Sequence, residues 1–201
     1  MGQITVERNA GGLEGLCVIT PAVHADSRGS FTETYNRRDM EREGLVYDFV
    51  QDNQSSSARG VLRGLHFQRR HPQAKLVRCT RGEIYDVAVD LRAASSTCGQ
   101  HFGLLLSAEN HRQLLVPRGF AHGFLVLSEE AEFCYKCDDY YDPADEDGLA
   151  WNDPVLGIAW PGLSGTWNGS ASADGYTVCG APLILSGRDT AWSGFREAFR
   201  F

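Results

Sequence analysis

The sequence predicts an all-β protein, a β-sandwich or jelly-roll barrel with a few short helices, and three observations lead there. Short runs rich in Val, Ile, Leu, Phe and Tyr recur between turn signals, helical periodicity is weak, and the runs follow one another closely. The strand-like runs are Gly60 to Arg63, Lys75 to Thr80, Glu83 to Leu91, Gly103 to Ser107, Gln113 to Val116, Phe124 to Leu127 and Glu132 to Tyr141. Such spacing predicts many short antiparallel strands, and the interior of the resulting barrel is a natural pocket. Only Arg37 to Gly44 and Thr190 to Phe201 read as short helices. Between Pro161 and Pro182 the rhythm breaks. Gly162, Gly165, Gly169, Gly175 and Gly180 stand there among several serines, which reads as a loop insertion (161–182) in a single domain spanning 1–201. That loop could cover the pocket, touch a second subunit or simply be tolerated.

The 201-residue chain has a formal net charge of -7, which argues against a sequence-independent nucleic-acid binder, because phosphate backbones are held by surplus Lys and Arg. An anionic small molecule is still allowed. Arg59, Arg63, Arg69, Arg70, Lys75, Arg78 and Arg81 concentrate basic charge in one segment, a candidate anion site. Met1 to Leu16 has no basic segment followed by an apolar run, and no stretch approaches the ~20 apolar residues of a membrane helix. A cytoplasmic protein with no membrane partner is therefore expected. Cys17, Cys79, Cys98, Cys134, Cys137 and Cys179 then read as reduced thiols. Cys134 and Cys137 form a CxxC, but strand alternation puts their sulfurs on opposite faces, and no second ligand pair completes a zinc tetrahedron.

Three stretches can carry chemistry. In Val61-Leu62-Arg63-Gly64-Leu65-His66-Phe67-Gln68, a regular strand puts His66 on one face with Leu62, Gly64 and Gln68, and Arg63 on the other. A bulge at Gly64 or a second layer is needed to unite Arg63 with His66. His66 reads equally as a catalyst or as a hydrogen-bonded structural histidine. In Val116-Pro117-Arg118-Gly119-Phe120-Ala121-His122-Gly123-Phe124, a Pro-x-Gly turn delivers His122 at the start of a strand, either aimed into a barrel or capping the loop. In Phe133-Cys134-Tyr135-Lys136-Cys137, Tyr135 shares the apolar face with Phe133 and Cys137. Its phenol is either a proton donor in a pocket or an ordinary buried tyrosine.

These stretches join further blocks: Asp26-x-Arg28-Gly29-x-Phe31-x-Glu33, Gln51-Asp52-Asn53, Gly82-Glu83-Ile84-Tyr85-Asp86-Val87 and Trp151-Asn152-Asp153-Pro154. With Arg63-Gly64-Leu65-His66, Pro117-x-Gly119-Phe120-Ala121-His122-Gly123-Phe124 and Tyr135-Lys136, they make the chain resemble the dTDP-4-dehydrorhamnose 3,5-epimerase family from about Gly15 to Arg196. The resemblance implies a cupin-type jelly roll that works as a homodimer, without metal or other cofactor, on a nucleotide-sugar, dTDP-4-keto-6-deoxyglucose. By the same resemblance His66 is the base, Asp189 its orienting partner, Lys75 with Arg63 the oxyanion partners and Tyr135 the opposing acid. It also implies that Arg28, Phe31 and Glu33 lie in an N-terminal segment exchanged into the neighbouring subunit's site. Gln51, Asn53, Arg63 and His122 would contact the nucleotide-sugar, Tyr141 would stack on the base, and Glu146 and Arg188 would sit near the mouth. For Arg28 and Arg188 the plain alternative is a solvated surface charge.

Metal-binding cupins supply an HxH pair and a Glu from one strand; the matching place here reads His66-Phe67-Gln68 and lacks the second histidine. The chain departs from the family in the glycine- and serine-rich segment before Asp189, and in Arg188, where a lysine is common in relatives. Alternatives are a monofunctional epimerase acting at C3 or C5 alone, a cupin that binds the nucleotide-sugar without turnover, and a metal-dependent cupin oxygenase or isomerase.

Overall fold

The computed structural model describes residues 3–166 and 170–201; Met1 and Gly169, both used above, lie outside the described residues. The chain runs β1 (Ile4–Arg8), β2 (Cys17–Pro21), β3 (Val23–Asp26), β4 (Gly29–Thr32), α1 (Arg37–Arg42), β5 (Gln51–Ala58), β6 (Leu62–Gln68), β7 (Lys75–Arg81) and β8 (Glu83–Asp90). It continues through β9 (His101–Ser107), β10 (Gln113–Val116), β11 (Phe120–Val126), β12 (Glu130–Cys137) and β13 (Glu146–Gly148). Three two-residue strands follow: β14 (Leu163–Ser164), β15 (Thr177–Val178) and β16 (Ala181–Pro182).

Two antiparallel sheets form the body, one ordered β1-β2-β10-β7-β12-β5 and the other β13-β6-β11-β8-β9. The jelly-roll expectation holds. Burial explains why β8 and β11 read as nearly continuous apolar runs: both their faces are covered. Ile84, Ala88, Phe120, Phe124 and Val126 pack with Val77, Leu114 and Phe133 of the other sheet. Val87, Val89, Ala121 and Leu125 turn the other way, onto Trp151, Trp160, Tyr176 and Val178. Each large apolar side chain so buried contributes roughly 1.5–3 kcal/mol.

Helix α1 starts where expected. Asn36 caps it by accepting a hydrogen bond from the Arg38 amide at 3.0 Å, and Gly44 at φ 69 ends the turn beyond it. Its Met40 joins Leu45, Cys17, Ile19 and Leu76 on the outer face of the six-stranded sheet.

The second expected helix, Thr190 to Phe201, does not form. Its backbone is taken by the body of the protein: the Ala150 amide donates to Ser193 O, the Phe195 amide to Asp153 Oδ2, and the Phe201 amide to Leu91 O. The periodicity was that of turns packing aromatic residues on a sheet. The described residues of 161–182 also have their own order. Trp151 Nε1 donates to Ala171 O at 2.9 Å, and Ala171, Tyr176 and Val178 pack in the core beside Trp160. Among the described residues no helix is long and apolar enough to cross a membrane.

Candidate active site

A cavity of about 900 Å³ opens between the sheets. Of the candidate residues, His66, Tyr135, Lys75, Asp189, Gln51, Asn53, Arg63, His122, Tyr141, Glu146 and Arg188 line it. Arg28, Phe31 and Glu33 do not. They belong to or follow the β3–β4 hairpin, where Phe31 is 69% exposed, Arg28 pairs with Asp26 and Glu33 accepts from Asn36 Nδ2. No described residue of 161–182 lines the cavity, which the segment Ile184 to Asp189 borders instead.

Strand β6 brings Arg63 and His66 to one wall by a change of register. Against β11, His122 pairs with His66 but Phe124 pairs with Arg63, so β6 carries one extra residue between them. Gly64 occupies the irregularity at φ 131, and a Cβ there would lie 2.6 Å from the Gly123 Cα. Only a glycine fits that approach. Upstream, Arg63 faces the cavity and Leu62 joins the core; downstream, His66 and Gln68 line the cavity while Leu65 is buried.

His66 Nε2 lies 2.5 Å from Asp189 Oδ1. The carboxylate is 2% exposed and is fixed by two more donors, Ser186 Oγ to Oδ2 at 2.8 Å and Trp192 Nε1 to Oδ1 at 3.2 Å. Burial pushes the Asp189 pKa up, but His66, Ser186 and Trp192 together outweigh it and hold the carboxyl below its ordinary value. An ionised Asp189 fixes the imidazole through Nε2 and leaves Nδ1 as the ring nitrogen for a substrate.

The opposite sheet supplies Lys75 from β7 and Tyr135 from the adjacent strand β12, where Lys75 pairs with Cys137 and Tyr135 with Val77. Desolvation lowers the Lys75 pKa, although the charges of Cys137, Glu146 and Asp86 work against it, and Lys75 Nζ has no hydrogen-bond partner among the described residues. Burial is the main cause that raises the Tyr135 phenol, so it stays protonated at neutral pH. Cys137, beside it, is pushed to about 11 by burial and is no thiolate. Arg63 donates from Nε and Nη2 to Ser57 Oγ and meets no carboxylate. The cavity thus holds two basic side chains, Lys75 and Arg63, without an ion-pair partner among the described residues.

His122 belongs to a second pair that sequence reasoning missed. Its Nε2 lies 2.9 and 3.0 Å from the two oxygens of Asp86, which is fully buried on the adjacent strand β8. The signal was present: an aspartate inside the apolar run Ile84 to Val89 is costly to bury without a partner. Ser57, Ser186 and Trp192 were also missed, because nothing local marks a side chain that only supports another.

At the mouth, Arg188 bridges the Tyr141 hydroxyl and Glu146, and the Tyr141 amide donates to Gln51 Oε1 at 2.9 Å. Gln68, where an HxH pair would have its second histidine, is spent on loop backbone: it donates to His71 O and Tyr140 O and accepts from the Asp142 amide. Among the described residues no three His, Cys, Asp or Glu side chains converge to hold a metal ion.

The profile of the dTDP-4-dehydrorhamnose 3,5-epimerase family matches residues 11–197. The chain belongs to this family. The dTDP-4-dehydrorhamnose 3,5-epimerase of Methanothermobacter thermautotrophicus is 55% identical over 185 residues, 92% of this chain and 92% of that protein. The crystal structure of the dTDP-6-deoxy-D-glucose 3,5-epimerase of Legionella pneumophila, in complex with dTDP-4-keto-L-rhamnose, superposes with a TM-score of 0.84. It is 40% identical and covers 98% of this chain and 95% of that one. A relative of narrower name, the dTDP-4-dehydrorhamnose 3-epimerase of Streptomyces niveus, is 44% identical over 152 residues, 75% of this chain and 73% of that protein. The fold is what this chain shares with its solved relatives.

Proposed function

We propose that the protein is a dTDP-4-dehydrorhamnose 3,5-epimerase of deoxysugar biosynthesis, inverting C3 and C5 of dTDP-4-keto-6-deoxyglucose without a cofactor. One observation carries this: His66 stands on the five-stranded sheet while Tyr135 and Lys75 stand on the six-stranded sheet across the same cavity. Inversion beside a ketone needs a proton removed from one face and returned to the other. His66 takes the proton, the electron pair moves into the C4 carbonyl, and the enolate oxygen falls to Lys75 and Arg63. Tyr135 then gives its phenolic proton to the opposite face of the carbon. Fixed cations in a partly desolvated site stabilise that oxyanion without reorganising at the moment of reaction. Asp189 holds the imidazole in place and favours the imidazolium once it forms.

In this proposal Gln51, Asn53 and His122 bind the nucleotide-sugar, Tyr141 stacks on its base, and Arg188 and Glu146 border its path. The protein acts as a homodimer, one domain per chain, in which the exposed hairpin delivers Arg28, Phe31 and Glu33 to the partner's cavity. The 69% exposure of Phe31, unexplained by any contact within the chain, supports that exchange. Six free thiols suit the cytoplasm.

The test is incubation with dTDP-4-keto-6-deoxyglucose in D2O, following deuterium at each carbon by NMR. Incorporation at C3 and C5 is expected. Incorporation at C3 alone would make the protein a counterpart of the Streptomyces niveus 3-epimerase, and binding without incorporation would end the case for catalysis.

A further inference from the structure

We propose that Trp192 is a positioning residue for the His66–Asp189 pair, and that position 148 is glycine because the Trp192 indole lies against it. The inference rests on His66 being the base. Trp192 Nε1 donates to Asp189 Oδ1 at 3.2 Å, the same oxygen that His66 Nε2 meets at 2.5 Å. The indole also meets the imidazole edge-on, with centroids 6.0 Å apart and an interplanar angle of 72°. On its other side the ring presses on β13, where a Cβ at Gly148 would lie 2.6 Å from Trp192 Cδ2 and Cε2 and 2.7 Å from Nε1. Gly148 is paired in register with His66. Its backbone does not require glycine, since its φ is not positive; the space does. Trp192 is not among the residues lining the cavity, so it acts through Asp189 rather than on the substrate.

A carboxylate oxygen shared between two donors gives each a smaller part of its charge. Trp192 therefore does two things: with Ser186 it stops Asp189 from rotating, and it moderates the pull of Asp189 on the His66 proton. Without the indole N–H, Asp189 binds that proton more tightly and is itself less firmly fixed. The other ionisable groups that line the cavity with His66 and Asp189 are Arg63, Lys75, His122, Tyr135, Cys137, Tyr141, Glu146 and Arg188, and all are retained when Trp192 is changed.

The test is proton NMR of the ligand-free protein at one fixed pH, with the His66 Nε2–H signal assigned by its loss in His66→Asn. Trp192→Phe keeps an aromatic ring and removes the donor. That signal should move downfield, because the proton is then held by a less shared oxygen, while the signal of His122 stays where it is. In the D2O exchange assay kcat should fall about threefold with KM unchanged. Gly148→Ala, which displaces the indole without altering Trp192, should move the signal in the same direction, and it carries the measurement should Trp192→Phe not fold. A His66 signal that is unmoved, or moved upfield, in the folded variant would overturn the role of Trp192. The spectrum needs no substrate, so that result is separate from a wild-type protein that gives no exchange, which would count against His66 as the base.

Discussion

His66 and His122 each meet an aspartate through Nε2 and both rings line the cavity, yet one pair is open and the other nearly covered. His66 is 30% exposed and its carboxylate comes from the irregular segment after β16, shared with Ser186 and Trp192. His122 is 7% exposed, and Asp86, with none of its surface exposed, spends both oxygens on that one ring. The open pair has a ring nitrogen free for substrate and a carboxylate whose strength several donors adjust. The covered pair has a carboxylate with nothing else to do. On the proposed mechanism an aspartate set across segments serves reactivity, and one set between adjacent strands holds a ring in the cavity wall.

The comparison can be broken by substitution. His66→Ala should lower exchange at both carbons by about 10⁴-fold with the circular dichroism spectrum retained, the upper end of what a positioned base contributes. Asp189→Asn should cost roughly 10³-fold in kcat, because an amide neither orients the ring in the same tautomer nor favours the imidazolium, while KM stays near wild type. Asp86→Ala should instead lower the unfolding free energy by about 3 kcal/mol in urea, the cost of stripping one partner from a buried pair. Arg188→Ala, at the exposed mouth, should raise KM about fivefold and leave kcat unchanged. If Asp86→Ala proves as damaging to the rate as Asp189→Asn yet spares stability, the division between the two pairs is wrong.

Acid sharpens the same contrast. The folded Asp189 carboxyl lies below its ordinary value, so its contribution to stability is fully present above roughly pH 4 and is lost as pH falls through the folded value. Urea unfolding of wild type and Asp189→Asn should therefore differ at pH 7 and converge as the pH is taken well below 4.

Much of this was legible in the sequence where a residue's own neighbours decide its state. The apolar strands β7 to β12 and the capped helix α1 follow from local pattern. Strand β5 does not: Gln51 to Ala58 is polar throughout, because one face lines the cavity with Gln51, Asn53 and Ser55 while the other is exposed. The Thr190 to Phe201 segment failed as a helix for a similar reason, since its backbone partners lie more than forty residues away, in Ala150, Asp153 and Leu91. For the site, the motif residues outside the Asp26 to Glu33 block came together, including Asp189 across the glycine-rich segment. The supporting residues were silent, because Ser57, Ser186 and Trp192 matter through their partners.

The extra residue in β6 makes that strand a place where the alternation of sides changes phase. Arg63 before Gly64 and His66 and Gln68 after it face the cavity, an odd-numbered position on one flank and even-numbered ones on the other, although Leu62 and Phe67 also reach its lining. Loss of a single residue here would therefore be a frameshift in three dimensions: every side chain on one flank would exchange wall for core, while the composition of the strand hardly changed. Substitutions elsewhere in β6 can be tried one at a time during divergence, but its length cannot.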